Sequence, residues 1–124
     1  MFIKSLKECK KIIAGDKCVL RELLHPGKAD LKLRYSLAHA EVAPGQITTK
    51  HNLKTSEVYY ILEGTGIMFI DSEQKKVCSG DAVYIPPKAV QCIKNTGKKT
   101  LKFLCIVDPA WRKEDETIMP KDEG

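Results

Sequence analysis

The sequence predicts an all-β protein folded as an antiparallel sandwich or barrel, and three observations lead to this prediction. From Cys18 onward, short apolar or alternating runs recur at intervals of about ten residues. Turn signals such as Ala43-Pro-Gly and Asn95-Thr-Gly separate these runs. The runs are rich in the β-branched and aromatic residues that suit a pleated sheet, as in Val58-Tyr-Tyr-Ile. Many short strands joined by regular turns are typical of sandwiches and barrels.

Residues 1–17 are predicted to precede the β-domain as a segment of their own. Phe2, Leu6, Cys9 and Ile13 recur every three or four residues. This spacing predicts a short amphipathic helix that ends near Gly15. Charged residues interrupt the whole stretch, so it does not have the apolar core of a secretory signal.

The β-domain is predicted to cover residues 18–108. Its nine expected strands are Cys18–Leu24, Leu33–Val42, Gln46–His51, Glu57–Glu63, Gly66–Ile70, Lys76–Cys78, Ala82–Ile85, Gln91–Asn95 and Leu101–Val107. The chain then leaves the last strand at Pro109 and becomes polar, so residues 109–124 are predicted to form a C-terminal tail. In that tail we expect Trp111 to anchor the segment by packing, rather than to act as a lid over a ligand.

Composition narrows the class of protein. The 124 residues suit one domain, and no apolar run approaches the ~20 residues that cross a bilayer. The five cysteines are scattered, with no C-x-x-C pair, which argues against a disulfide framework and a zinc knuckle. We therefore expect buried, reduced thiols, a cytoplasmic protein and no membrane partner.

The net charge of +5 arises in the first part of the chain. Residues 1–34 hold nine Lys and Arg against four Asp and Glu, and the remainder is balanced, twelve against twelve. The lysines are interleaved with acidic and apolar residues, and no aromatic stacking platform accompanies them. This pattern favours a solvated surface over a nucleic-acid interface.

Two stretches of the chain have a spacing that resembles a known family. The first is Gly45-x5-His51-x-Leu53-x3-Glu57-x6-Gly64, and the second is Gly80-x5-Pro86-x4-Gln91-x3-Asn95. They resemble the two motifs of the cupin family, Gly-x5-His-x-His-x(3–4)-Glu-x6-Gly and Gly-x5-Pro-x-Gly-x2-His-x3-Asn. The segment from Arg21 to Pro26 and the tail after Asp108 are also similar to those of small cupins with one barrel per chain, so the resemblance covers about residues 18–118. It implies a double-stranded β-helix, the cupin jelly-roll barrel, and commonly a homodimer.

The resemblance further implies a divalent metal ion inside the barrel, with Mn, Zn, Fe and Ni as candidates. In typical cupins the ligands are the two histidines and the Glu of the first motif and the His of the second. On this chain those positions hold His51, Leu53, Glu57 and Gln91. Leu53 has no lone pair, and the Gln91 amide oxygen suits hard cations better than iron or copper. The metal ligands are therefore predicted to be His51, Glu57 and Gln91, and a site that has lost its metal is the alternative.

Strand geometry gives a separate reason for these side chains to meet. Alternate residues of a strand face the same way, so His51 and Leu53 point together. Glu57 opens the next strand, and Tyr59 shares its face. A buried ionised carboxylate needs a partner or a metal, so Glu57 is hard to explain as structure alone, whereas a salt bridge to a lysine is the plain alternative. Tyr59 is the candidate catalytic residue, a proton donor, although a core role fits its position as well.

Two further histidines are candidates for the site. His39 could replace a missing ligand, but Ser36, Ala38, Ala40 and Val42 look like the inward face of its strand, which places His39 outside. His25 lies before Pro26 in a turn-like stretch, which favours a surface role.

Two functions remain open for the protein. One is a metal-assisted isomerase, lyase or dioxygenase acting on a small organic or sugar-like substrate, and the other is a non-catalytic module that binds a small molecule.

Overall fold

The computed structural model describes residues 1–120, which form two antiparallel β-sheets. In chain order the strands are β1 (Ile12–Ile13), β2 (Val19–Leu24), β3 (Ser36–Val42), β4 (His51–Leu53), β5 (Ser56–Glu63), β6 (Thr65–Ile70), β7 (Glu73–Cys78), β8 (Ala82–Ile85), β9 (Gln91–Asn95), β10 (Leu101–Asp108) and β11 (Glu116–Ile118). One sheet has the order β1-β2-β3-β10-β5-β8, and the other has the order β11-β4-β9-β6-β7. The all-β prediction is confirmed.

The alternation of strand β10 shows how the sequence fills the core. Leu101, Phe103, Cys105 and Val107 are buried, and each residue between them is partly exposed. The strand pairs along its length with β3 on one side and β5 on the other. A period of two with one face apolar is what a half-buried antiparallel strand requires. The buried faces of both sheets form one apolar cluster.

The predicted N-terminal helix is wrong. Residues Leu6–Glu8 form only a 3-10 turn, and Ile12–Ile13 pairs with β2 as strand β1. The apolar residues that suggested the helix, Phe2, Leu6 and Ile13, remain exposed. A short amphipathic helix gains most of its stability from packing its apolar face, and this one has no surface to pack against.

Strand Gln46–His51 was also placed incorrectly. The pairing in this region starts at His51, apart from an isolated bridge between Ile47 and Lys94. The polar pair Thr48 and Thr49 instead bonds with neighbouring backbone: the Thr48 hydroxyl accepts the Ile93 N–H at 2.9 Å, and the Thr49 N–H donates to Asp16 O at 2.7 Å.

The C-terminal segment returns to the β-structure. After a cis Asp108–Pro109 bond, a 3-10 turn at Lys113–Asp115 leads into β11, which pairs with β4. Strand β11 lies at the edge of its sheet and exposes two of its three residues, so its sequence is polar. For that reason the sequence did not predict it. Residues 121–124 of the predicted tail lie outside the described part of the chain. No helix within residues 1–120 has the length and apolar character needed to cross a membrane.

Candidate functional site

A cavity of about 210 Å³ lies between the two sheets, and most of its lining surface is apolar. Strands β2 to β5 and β10 contribute most of its wall, and the rest comes from residues 12–16, Cys18, Lys28 and the C-terminal segment. Its polar or ionisable lining residues are Asp16, Cys18, Glu22, Lys28, Ser36, His51, Glu57, Tyr59, Cys105 and Glu116. A concave cavity with a largely apolar surface and a few polar groups is the usual form of a small-molecule site.

His51 opens strand β4 and is 3% exposed. Its Nδ1 lies 3.1 Å from Thr49 O, and a carbonyl oxygen can only accept a hydrogen bond. In the neutral ring, Nδ1 therefore carries the proton and Nε2 has a free lone pair. The structure places this imidazole in the lining of the cavity. His51 can thus accept a hydrogen bond or bind a cation there.

Glu57 lies on strand β5 and is 6% exposed. The Gln91 Nε2 donates a hydrogen bond to its Oε1 at 2.8 Å. Burial raises the pKa of this carboxyl to about 8; the hydrogen bond from Gln91 opposes the rise, and the nearby charges of Asp16 and Glu116 add to it. At neutral pH Glu57 is therefore mostly a carboxylic acid, which holds a transferable proton.

Gln91 is 1% exposed and faces His51 directly across the β4–β9 pair. Its amide nitrogen bonds to Glu57, whereas its Oε1 is buried without a hydrogen-bond partner among residues 1–120. Gln91 is not part of the cavity wall. Its position therefore fits holding the Glu57 carboxyl in place.

Leu53 and Tyr59 lie where strand alternation predicted. Both are 3% exposed and line the same cavity as His51 and Glu57. The Tyr59 ring packs against Phe103 with ring centroids 4.5 Å apart. Burial, and after it the neighbouring Glu57, raises the pKa of the Tyr59 phenol well above its ordinary value. The phenol therefore keeps its proton and can donate a hydrogen bond.

Asp16 is the site residue that the sequence did not suggest. It is 6% exposed, lines the cavity, and its Oδ2 lies 3.9 Å from His51 Nδ1. Its Oδ1 accepts the Cys18 N–H at 3.2 Å. The adjacent Gly15 was the only local signal, and a single acid beside a glycine usually indicates a surface turn. Glu116, from β11, also lines the cavity and was missed because its strand was not predicted.

The other histidines lie outside the cavity wall. His39 is on the face of β3 opposite Ala38 and Ala40, where it is nevertheless buried, and that burial lowers its pKa. His25 is partly buried: its Nδ1 accepts the Gly27 N–H at 3.0 Å, and its Nε2 donates to Trp111 O at 2.8 Å. The expected surface role of His25 therefore gives way to a structural one, holding the C-terminal segment against the barrel.

Trp111 both anchors the C-terminal segment and contributes to the cavity. The Trp111 N–H donates to the Ser36 hydroxyl at 2.9 Å, which anchors the segment. Trp111 also lines the cavity and is partly exposed. It therefore forms part of the cavity wall.

The cysteines are all free. Cys18, Cys92 and Cys105 are buried as expected, but Cys9 is only partly buried and Cys78 is exposed. Burial, the first cause in each case, raises the pKa of Cys18 and of Cys105, the two thiols that line the cavity. Both are therefore neutral thiols rather than reactive thiolates.

The side chains around Glu57 fit a divalent metal poorly. Within residues 1–120, no three His, Cys, Asp or Glu side chains are grouped so that they could hold a metal ion. Leu53 supplies hydrocarbon at the position of a ligand, Gln91 directs its amide nitrogen to Glu57, and Glu57 holds a proton at neutral pH. These residues do not by themselves fit a tightly bound metal.

Comparison with known proteins places these observations in a family. The family model described as "Cupin domain" matches residues 38–107. An uncharacterized protein of Methanocaldococcus jannaschii is 44% identical over 111 residues, which is 89% of this chain and 88% of that protein. A mannose-1-phosphate guanylyltransferase of Salmonella montevideo is 30% identical over 108 residues; the match spans 83% of this chain but only 23% of that enzyme.

A solved structure has the same fold. The Cupin 2 conserved barrel domain protein of Salinispora arenicola superposes with a TM-score of 0.76, covering 92% of this chain and 91% of that one. The two are 18% identical in sequence, so this likeness concerns the fold alone. The predicted jelly-roll barrel is confirmed.

Proposed function

The chain belongs to the cupin family, and on that premise we propose that its cavity binds a small organic ligand through His51 and Glu57. One observation carries the proposal most directly: a carboxyl with a pKa of about 8 and a histidine line one cavity. Glu57 can donate a proton or a hydrogen bond to a ligand, and the free Nε2 of His51 can accept one. The cavity therefore holds a matched donor and acceptor.

Tyr59 is proposed as a further hydrogen-bond donor to the ligand. It lines the cavity, and its raised pKa keeps the phenol protonated. A carboxylic acid, a phenol and an imidazole around one small space would also support proton transfer to and from a bound molecule. Whether a reaction follows binding depends on the ligand, and a sugar-like molecule with several hydroxyl groups is one class that these groups fit.

Binding in the cavity is tested by NMR titration with a panel of monosaccharides, small hydroxy acids and small amines. A ligand of the proposed site shifts the His51 ring signals, and its affinity falls at least about tenfold in His51→Ala. Glu63→Gln, which removes a half-exposed carboxyl paired with Lys102, serves as the control and leaves the affinity unchanged. Ligands that bind with equal affinity to His51→Ala would contradict the proposal.

A divalent metal bound by His51, Glu57 and Gln91 is the second candidate. The observation that favours it is the contact between His51 Nδ1 and a backbone carbonyl, because metal-binding histidines usually donate their other ring N–H in this way. A metal would supply Lewis-acid chemistry to a bound ligand. The donor set argues against tight binding, since two of the usual four ligands are replaced.

Elemental analysis of protein purified without chelators separates the two candidates. The ligand-binding proposal expects substoichiometric metal in the natural protein and no further loss in His51→Ala or Glu57→Gln. Stoichiometric metal that disappears in both variants would support the second candidate instead.

Assembly and location are proposed on separate grounds. Tyr60, Leu62 and Tyr84 expose apolar surface on the outer side of the β5–β8 pair, which supports a homodimer formed through this face. Tyr84→Glu is expected to convert the dimer to a monomer in light scattering. Five free cysteines support a reducing compartment such as the cytoplasm.

A further inference from the structure

The cavity is acidic and aromatic, and from this we infer that its ligand is a small organic cation, with Asp16 as the principal counter-ion. The inference rests on the proposed function, because it names the class of molecule that would occupy the same cavity. It goes beyond that function by assigning roles to Asp16, Glu116 and Trp111.

The charges that line the cavity do not balance. Besides Glu57, which mostly holds its proton at neutral pH, three carboxyl groups contribute to the wall, from Asp16, Glu22 and Glu116, against one lysine, Lys28. Lys28 is already ion-paired with Glu22, and its side chain is 66% exposed. Asp16 and Glu116 therefore line the cavity with no Lys or Arg paired to them within residues 1–120.

Asp16 is held firmly in this position. Its Oδ1 accepts the Cys18 N–H, and its backbone oxygen accepts the Thr49 N–H at 2.7 Å. Its Oδ2 lies 3.9 Å from His51 Nδ1, which is too far for a hydrogen bond, and the side chain is only 8% exposed. Among residues 1–120, the His51 ring is the one group within ion-pair distance of this carboxyl, and it is a cation only when protonated. A buried carboxylate is unfavourable without a cationic partner, and a ligand cation would supply a permanent one.

Tyr59 provides an independent indication of a ligand. It is 3% exposed and lines the cavity, and its hydroxyl makes none of the side-chain hydrogen bonds found among residues 1–120. The hydroxyl oxygen is not among the fully enclosed polar atoms without a partner, so it is open to the cavity. A buried phenol normally has a partner, so a ligand or a water is expected at this hydroxyl.

Aromatic rings complete the chemistry of the wall. Tyr59 and Trp111 both line the cavity, and Trp111 is fixed through backbone bonds to Ser36 and His25. Carboxylates together with Trp and Tyr rings recognise ammonium groups, since the negative face of each ring attracts the cation. The single Lys or Arg in the same wall, Lys28, is already paired with Glu22, so the wall has no cation available for a carboxylate ligand. Its carboxylates would repel such a ligand.

The test compares choline with its neutral isostere 3,3-dimethylbutan-1-ol, which differs in charge but hardly in shape. Trp111 is the single tryptophan of the chain, so its fluorescence reports binding at the cavity. Choline is expected to change this fluorescence at millimolar concentrations and to bind at least about tenfold more tightly than the alcohol.

Two variants locate the charge. Asp16→Asn keeps an oxygen that can accept the Cys18 N–H, and it is expected to lower choline affinity about tenfold while affinity for the alcohol stays the same. Glu63→Gln is the matched control and leaves both affinities unchanged. Thermal unfolding of each variant checks that the fold is retained.

The outcomes separate this inference from the proposed function. Equal affinity for both compounds, or choline affinity that survives Asp16→Asn, overturns the cation inference while binding in the cavity stands. If choline, tetramethylammonium and the alcohol all leave the Trp111 fluorescence and the His51 ring signals unchanged, the cation inference is overturned. In that case the proposed function falls as well if the wider panel of ligands also fails.

Discussion

Replacing Glu57 with glutamine should flatten the pH dependence of stability. The variant keeps nearly the same shape, and its side-chain oxygen can still accept the hydrogen bond from Gln91, but it removes the titrating group. The ordinary pKa of the carboxyl is 4.5, and burial raises it to about 8 in the folded protein. The change therefore isolates the consequence of burying an acid in this cavity.

The sign and size follow from proton linkage. Below pH 4.5 the folded and unfolded states both hold the Glu57 proton, so this group does not change the free energy of unfolding with pH. Between pH 4.5 and about pH 8 only the folded state holds it, so unfolding releases a proton and the free energy of unfolding falls as pH rises. Integrated over this window, the loss is on the order of 5 kcal/mol and is complete above the folded pKa.

The assay is urea unfolding of the natural protein and of Glu57→Gln across this pH range. The two proteins should be about equally stable near pH 5, and the variant should be several kcal/mol more stable near pH 9. Glu63→Gln should instead follow the natural protein throughout. Parallel curves for the natural protein and Glu57→Gln would refute the reasoning, because they would mean that Glu57 titrates normally in the folded state.

Three other substitutions test separate parts of the account. Leu53→His adds a second imidazole to the cavity wall, so calorimetry with Zn²⁺ or Mn²⁺ should show at least about tenfold tighter binding; unchanged affinity would mean that position 53 does not act on the cavity. Asn95→Ala removes side-chain hydrogen bonds to Val42 O and Lys99 O, both 2.8 Å, and should lower the free energy of unfolding by about 2–4 kcal/mol; a loss below the error of urea unfolding would contradict this. Gly66→Ala would bring a Cβ within 2.4 Å of a strand backbone oxygen, so soluble expression should fall sharply, and a normal melting temperature would contradict the observed strand spacing.

The fold was predictable because its signals are local and repeated. Strands Ala82–Ile85 and Gln91–Asn95 have the predicted bounds, and the inward face of Ser36–Val42 was read correctly from alternation. The prediction of an N-terminal helix failed because the spacing of apolar residues can indicate an apolar face, but it does not show whether another element packs against that face. The edge strand Glu116–Ile118 was not predicted for a related reason: the strand with which it pairs lies more than sixty residues away in the chain.

The site was predictable only where motif spacing and strand geometry agree. His51 and Leu53 lie on the inward face of β4, and Glu57 and Tyr59 lie on the inward face of β5 in the other sheet, so the four side chains meet in one cavity. Asp16 could not be found in this way, because it reaches the cavity from the turn between β1 and β2. The raised pKa of Glu57 could not be predicted from the sequence either, because it depends on how completely the folded protein excludes water from this carboxyl.

The most direct measurement of the central claim is a ¹³C NMR titration of the glutamate side-chain carboxyls, with Glu57→Gln assigning the Glu57 signal. The account predicts that this carboxyl is mostly protonated at neutral pH and titrates with a midpoint near 8. A midpoint near the ordinary value of 4.5, or a carboxylate signal throughout the range that changes only when a chelator is added, would contradict it.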